Sequence, residues 1–295
     1  MPFPTVIDNT MRSAFVSCPE SWHKRFIQHL DELEPSIHLH AGAAFASAIE
    51  EFRKAYWGSR RLSFEDAFES GAAVLVREYG DFDDQGQVKS LYNMLRAYDY
   101  YWHEAFPPAT DQMRPFMLPN GEPAVEFSFA IPLPINHPDT GEAILYGGKF
   151  DMVGQSMGQL WVVDEKTTGS MGPQWAKQWS LRSQFTGYCW AAQQFGYRVA
   201  GVSVRGIGIY VTDMKNAPIY DYRPPWIVER WYAQLLRDVQ RMVDAYKSGI
   251  YDMALSDACN SFGGCAFKML CESRDPEPFM KTHFTVREWI PVAEG

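Results

Sequence analysis

Leu160-Trp161-Val162-Val163 is a short, wholly apolar run rich in β-branched and aromatic residues, and three charged residues follow it, Asp164-Glu165-Lys166. A run of that length and composition predicts a strand covered on both faces, in the middle of a sheet. The rest of the chain arranges itself around it. Residues 143–153 read as the preceding strand, with Gly154 and Gly158 suiting a hairpin-like connection to a strand over 159–167. Glu126 to Ile131 alternates polar and apolar positions, which predicts a half-buried strand over 125–131 that Pro132 and Pro134 end. A further strand is predicted over 201–211. Helical spacing predicts helices near 41–57, 174–195 and 226–247. Near the N-terminus a helix is predicted over Thr10 to Phe15, capped by Asn9 or Thr10 and broken at Cys18-Pro19, with a second helix starting near Glu20. Residues 60–106 read as mainly helical, with Ser63 a candidate cap, and the prolines between 107 and 123 predict a loop. Tyr98, Tyr100, Tyr101 and Trp102 are read as core rather than as base-stacking residues. These elements predict an α/β fold, a central mixed β-sheet flanked by helices with helical N-terminal additions. We expect a single domain over 1–295, with a helical insertion at about 60–115 and a C-terminal cysteine cluster at 259–271.

A buried strand that ends in Asp-Glu-Lys needs partners for those charges, because stranded charge is costly. Side chains alternate along a strand, so Asp164 and Lys166 point to one face and Glu165 to the other. Pairing with the preceding strand brings Asp151 beside them. Two carboxylates at close range repel unless a proton or a cation lies between them. Oxygen ligands favour Mg²⁺ or Mn²⁺. A lysine beside such an ion orients or helps deprotonate a water, or stabilises charge on a phosphate. The alternative is a structural ion-pair cluster.

Composition narrows the setting. The chain has 295 residues with 46% hydrophobic and 15% aromatic positions, enough for a substantial core. No apolar run approaches a membrane span, and Met1-Pro2-Phe3-Pro4 lacks the basic start of a secretory leader, so a cytoplasmic protein is expected. The net charge of −9 argues against a general nucleic-acid coat. A local patch can still supply phosphate contacts, and Arg182, Lys177, Lys149, Arg53 and Lys54 are its candidates.

Asp151 after Gly148-Lys149-Phe150, then Asp164-x-Lys166-Thr167, then Gln184-x-x-x-Tyr188 resembles the PD-(D/E)XK nuclease superfamily with its restriction-endonuclease-like core. The RecB-like branch, with CRISPR-associated and phage exonucleases, is the most similar. The resemblance implies that Asp151, Asp164 and the Glu165 carbonyl bind Mg²⁺ or Mn²⁺, that Lys166 is catalytic, and that Gln184 and Tyr188 position DNA with Arg182 near a phosphate. The family's Gly-x-x-x-His-x-x-x-Glu helix is matched at Gly42 and Glu50, but Ala46 stands at the His position. Glu50, one turn further on the same face, is a candidate ligand in its place, with His38 and His40 as weaker substitutes.

Five cysteines occur, at 18, 189, 259, 265 and 271. Without disulfides, one remote and three clustered cysteines make four ligands, enough for a [4Fe–4S] cluster or a zinc. Resembling nucleases use Cys18, Cys259, Cys265 and Cys271 positions as an iron–sulfur staple. Cys189 reads as a small core residue. The expected function is a metal-dependent DNA exonuclease acting on single-stranded or end-containing DNA, in phage or prokaryotic recombination, repair or processing, with recombination or replication proteins as possible partners. The alternative is a catalytically weak nucleic-acid-binding or accessory protein that keeps the fold.

Overall fold

The computed structural model describes residues 2–33, 36–260 and 264–291, apart from the side chain of residue 257. The first part of the chain forms β1 (Val6–Ile7), α1 (Asn9–Ser17), α2 (Pro19–Trp22), β2 (Leu30–Glu32), α3 (Ile37–Trp57), α4 (Phe64–Tyr79), α5 (Leu91–Tyr100), β3 (Arg114–Pro115) and β4 (Val125–Asn136). The remainder forms β5 (Ala143–Ser156), β6 (Gln159–Thr168), α6 (Ser183–Gln194), β7 (Val199–Ile209), β8 (Met214–Tyr222), α7 (Pro225–Ser248), α8 (Lys268–Glu272), α9 (Glu277–His283) and β9 (Phe284–Val286). The sheet is mixed and helices flank it, as the pattern predicts. Contacts divide the chain into two compact units. The larger is Pro35–Phe127 with Lys149–Val228, and the smaller is Met1–Glu34, Ser128–Gly148 and Glu229–Gly295.

In the larger unit β6 lies between β5 and β7, antiparallel to the first and parallel to the second, and β7 pairs antiparallel with β8. Met157 and Gly158 both take positive φ (50° and 74°), the backbone a two-residue hairpin needs to match strand twist. They fix the β5–β6 register at Ser156↔Gln159 and Met152↔Val163. One face of β7, at Ile207 and Ile209, joins an apolar cluster with Phe45, Ile49 and Phe52 of α3, Leu75 of α4, and Met94 and Tyr98 of α5. Each such large side chain contributes about 1.5–3 kcal/mol when buried. Phe52 stacks on Trp102 at 3.7 Å, so the aromatic segment after α5 is core. Gly71 permits the close approach of α4 to α3, because a Cβ there would lie 2.8 Å from the Ala48 carbonyl oxygen.

In the smaller unit β1 runs parallel to the start of β5, and β2 pairs antiparallel with β9 over a cluster of Leu30, Phe267, Leu270 and Phe284. Asp8, not Asn9 or Thr10, caps α1, its carboxylate accepting from the Met11 N–H at 2.7 Å.

Three boundaries differ from the pattern. The helix expected from 174 begins only at Ser183, because Leu181 takes φ 55° and Arg182 is extended, leaving a short turn at Lys177–Trp179 before it. The strand expected to stop at Ile131 continues through Pro132 and Pro134 to Asn136. Its one described partner strand is β5, so its other edge carries no ladder for proline to break. The proline-rich stretch before it contributes β3, which pairs with β5 at Arg114↔Gln155. Among the described residues no helix is long and apolar enough to cross a membrane.

Candidate active site

The β5–β6 register places Asp151 one step beyond the Met152–Val163 pair, beside the charged end of β6. There the Glu165 N–H donates to Asp151 Oδ2 at 2.8 Å. On the same face Lys166 Nζ lies 2.5 Å from Asp164 Oδ2. The Asp164 side chain is 2% exposed and that of Lys166 33%. Asp164 Oδ2 is buried, and the Lys166 ammonium is its partner there. The expected grouping of Asp151, Asp164 and Lys166 is therefore present, and Glu165 points to the opposite face.

Burial, then the Asp164 charge, holds the Asp151 carboxyl well above the usual range. Burial also raises Asp164, against the opposing pull of Lys166. Burial disfavours the Lys166 ammonium, but Asp164 and Asp151 outweigh it and raise its pKa. Two desolvated acids beside each other fit a divalent cation in donor chemistry. Among the described residues no three His, Cys, Asp or Glu side chains are gathered as a metal-holding group.

Glu165 enters a buried network. Its side chain is 4% exposed and pairs with Arg53, which is 2% exposed. Arg53 Nη1 donates to Glu165 Oε2 at 3.2 Å, and Nη2 donates to Glu165 Oε1 and to the Tyr101 hydroxyl, the latter at 3.0 Å. Tyr101 Oη donates to Glu165 Oε1 at 3.0 Å and accepts from Arg205 Nη1 at 3.4 Å. Arg205, opposite Glu165 in the β6–β7 register, donates to Asp111 Oδ2 at 2.6 Å. Burial pushes Glu165 up, but Arg53 and then Arg205 override it and bring it down to about 2. Arg53 is thus corrected from a phosphate-patch candidate: a fully buried guanidinium clamped to a carboxylate is not available to DNA. Two residues further along β6, Thr167 accepts from Lys89 Nζ at both its carbonyl (3.2 Å) and its hydroxyl (2.8 Å). Burial pushes that lysine down to about 8.

α6 follows β6 and carries Gln184 and Tyr188 on one face, with Gln184 Nε2 donating to Tyr188 Oη at 2.9 Å. Tyr188 packs on Phe150, the neighbour of Asp151, at 5.7 Å. Arg182 is exposed just before α6, and its charge acts on Asp164. Glu50 pairs with Lys54, whose ammonium stays exposed. Lys177 is exposed. His40 contacts the Tyr79 carbonyl at 2.8 Å and stacks on Phe82.

Glu126 belongs to this neighbourhood although the alternating pattern made it only a strand's polar position. Its side chain is 7% exposed, its φ is 52°, and it pairs with Lys149. Its pKa is raised by burial first, with Lys149 opposing and Glu50 and Glu165 adding to the rise. Positive φ and burial depend on the finished fold, so no local signal marks them.

In the smaller unit Cys18, Cys259, Cys265 and Cys271 line one cavity of about 220 Å³. All four are free thiols, and among the described residues they are not gathered as a metal-holding group. Burial raises the Cys271 thiol, and Cys265 and Cys18 contribute to the rise. Cys189, in the larger unit, is buried in α6 as a core residue.

A family model described as the PD-(D/E)XK nuclease superfamily matches residues 11–272. The chain belongs to that superfamily. It is therefore placed among hydrolases of phosphodiester bonds with nucleic-acid substrates, a group that generally uses divalent metals. Among solved structures, a candidate exonuclease from Eubacterium rectale is similar at 11% identity and TM-score 0.46, over 88% of each chain. The protein SSO0001 is similar at 10% identity and TM-score 0.32, over 83% of this chain and 91% of that one. A sequence comparison with curated proteins finds no match.

Proposed function

We propose that this superfamily member is a Mg²⁺- or Mn²⁺-dependent deoxyribonuclease of the RecB-like type, an exonuclease acting at DNA ends in phage or prokaryotic recombination, repair or processing in the cytoplasm. One observation carries the reading: Asp151 and Asp164 are desolvated carboxyls close enough for the Asp164 charge to act on Asp151, with Lys166 on the face of Asp164. Asp151, Asp164 and the Glu165 carbonyl would hold the cation. When bound, it supplies a lowered water pKa and neutralises charge on the phosphate. Lys166, held protonated beside Asp164, would orient the attacking water toward the scissile phosphate and stabilise charge developing on that phosphate. Gln184 and Tyr188 would position the strand, and exposed Arg182 would meet a phosphate without reading sequence. Labelled single- and double-stranded DNA incubated with Mg²⁺ or Mn²⁺ tests this. Loss of signal from the ends inward is expected. No cleavage of either substrate by metal-saturated protein would favour a nucleic-acid-binding accessory protein that retains the fold.

The raised carboxyls predict a pH-dependent effect of the cation on stability. Asp151 binds a proton more tightly folded than unfolded, so its contribution to stability falls as pH rises from about 4 through its folded pKa. A cation competes with that proton and stabilises the folded protein only where the acid is ionised. At about a hundred times its Kd the cation adds roughly 2.7 kcal/mol. Melting with and without Mn²⁺ should show a larger rise in Tm at pH 8 than at pH 5; equal rises would count against a carboxylate site. Glu50 remains a proposed ligand, acting through water. Glu50→Ala should raise the half-saturating Mn²⁺ concentration about tenfold in a cleavage titration, whereas unchanged saturation would confine Glu50 to its pair with Lys54.

We also propose a [4Fe–4S] cluster on Cys18, Cys259, Cys265 and Cys271, with zinc as the alternative metal. The four thiols line one cavity, so the cysteines from both ends of the chain fit the group. Its role would be structural.

A further inference from the structure

Residue 165 sits between the two charged residues of the site, and its N–H holds Asp151. Its own side chain takes no part in that face. It is instead gripped by both nitrogens of the Arg53 fork and by the Tyr101 hydroxyl. We propose that Arg53 and Tyr101 are positioning residues that set the cation affinity of the site through Glu165, an inference that rests on the nuclease reading above.

The argument is geometric. A strand residue cannot turn its main chain without moving its side chain. A two-point guanidinium clamp on a buried carboxylate therefore fixes the peptide planes on either side of Glu165. Those planes carry the N–H that orients Asp151 and the carbonyl assigned to the cation. They also set the pitch at which Asp164 and Lys166 leave β6. Each member of the network is satisfied: the Tyr101 hydroxyl gives its hydrogen to Glu165 and accepts from Arg53 and Arg205, and Arg205 is paired by Asp111. Two arginines balance two acids. A buried ionic network of this kind is seldom the most stable filling for a core, and apolar packing often does better. What it adds is one definite geometry. Here it links α3, the segment after α5, and β7 to the residue of β6 whose N–H donates to Asp151. Lysine at position 53 would keep the charge but lose the fork.

The test measures Mn²⁺ binding directly, by the electron paramagnetic resonance signal of free Mn²⁺ titrated with whole protein and no DNA. Only sites lost in Asp164→Ala are counted. Arg53→Lys is expected to weaken that binding about tenfold or more, the usual scale for a residue that orients a ligand. Tyr101→Phe, which keeps the shape and removes one hydroxyl, should weaken it by a smaller factor. DNA affinity measured in Ca²⁺ should stay within about twofold of the parent for both. Ile49→Ala, in the core of the same helix α3, controls for lost stability: at a comparable fall in Tm it should bind Mn²⁺ like the parent. Arg53→Lys and Tyr101→Phe binding Mn²⁺ as the parent does would overturn the inference while leaving the nuclease reading intact. So would losses that merely track Tm across all three variants. If Arg53→Lys does not fold, Tyr101→Phe alone decides. A parent that binds no Mn²⁺ dependent on Asp164 would overturn the reading itself, and this inference with it.

Discussion

Lys166→Ala should lower cleavage by at least about a thousandfold, the scale on which a preorganised charge or donor at the reacting group acts. The side chain reaches the site face of β6 with a third of its surface open, so its removal leaves no void in the core and little change in Tm is expected. Asp164→Ala should be equally inactive for a different reason. It removes one of two buried acids and with it the proposed cation site. It also removes negative charge that faces an incoming phosphate, so DNA affinity should be unchanged or higher. The pair of outcomes, inactive in both and undiminished binding in Asp164→Ala, separates a chemical role from a fold defect. Measurement is by single-turnover cleavage of end-labelled DNA beside an anisotropy titration in Ca²⁺. Cleavage by Lys166→Ala at a rate near the parent's would remove the lysine from the mechanism.

The charged end of β6 was legible because its signal is local. An apolar run followed by Asp-Glu-Lys states its strand, its alternation and its conflict with burial within seven residues. Register then followed from Gly158, whose positive φ completes the hairpin turn. Gln184 and Tyr188 were legible as a pair because four residues make one helical turn, although the helix itself starts nine residues later than its pattern suggested. What could not be read was which charges would be buried. Arg53 sits in α3 next to Lys54, and both look like surface charge in sequence. Only the packing of α3 across Glu165 distinguishes the clamped guanidinium from the exposed ammonium. Glu126 was hidden for a related reason: burial at a positive φ is fixed by β4 meeting Lys149, not by its neighbours in the chain. β8 was missed because its exposed alternation, with Asn216 and Pro218 inside it, lacks the apolar run that marked β6.

Protein purified without oxygen should be brown, with broad visible absorbance that is lost in Cys259→Ser or Cys271→Ser. In the smaller unit Cys18 ends α1, while Cys259, Cys265 and Cys271 come from the far end of the chain, and the cavity that gathers all four is also lined by apolar Ala254, Leu255 and Phe267 and by charged Lys268 and Glu272. A cluster there would cross-link two segments separated by most of the chain. By the chain-entropy argument used for disulfides, closing a loop of that length is worth on the order of 5 kcal/mol, comparable to the net stability of a typical domain. Either serine variant should therefore fall sharply in Tm and become prone to proteolysis. Asp151, Asp164 and Lys166, the residues proposed for cleavage, lie in the other unit, so the rate per folded molecule should change far less than the folded fraction. Active-site titration beside circular dichroism would separate the two. Stoichiometric zinc without iron in the anaerobic preparation would replace the iron–sulfur assignment with a zinc staple. Equal Tm for parent and both serine variants would mean that the four thiols bind no metal at all.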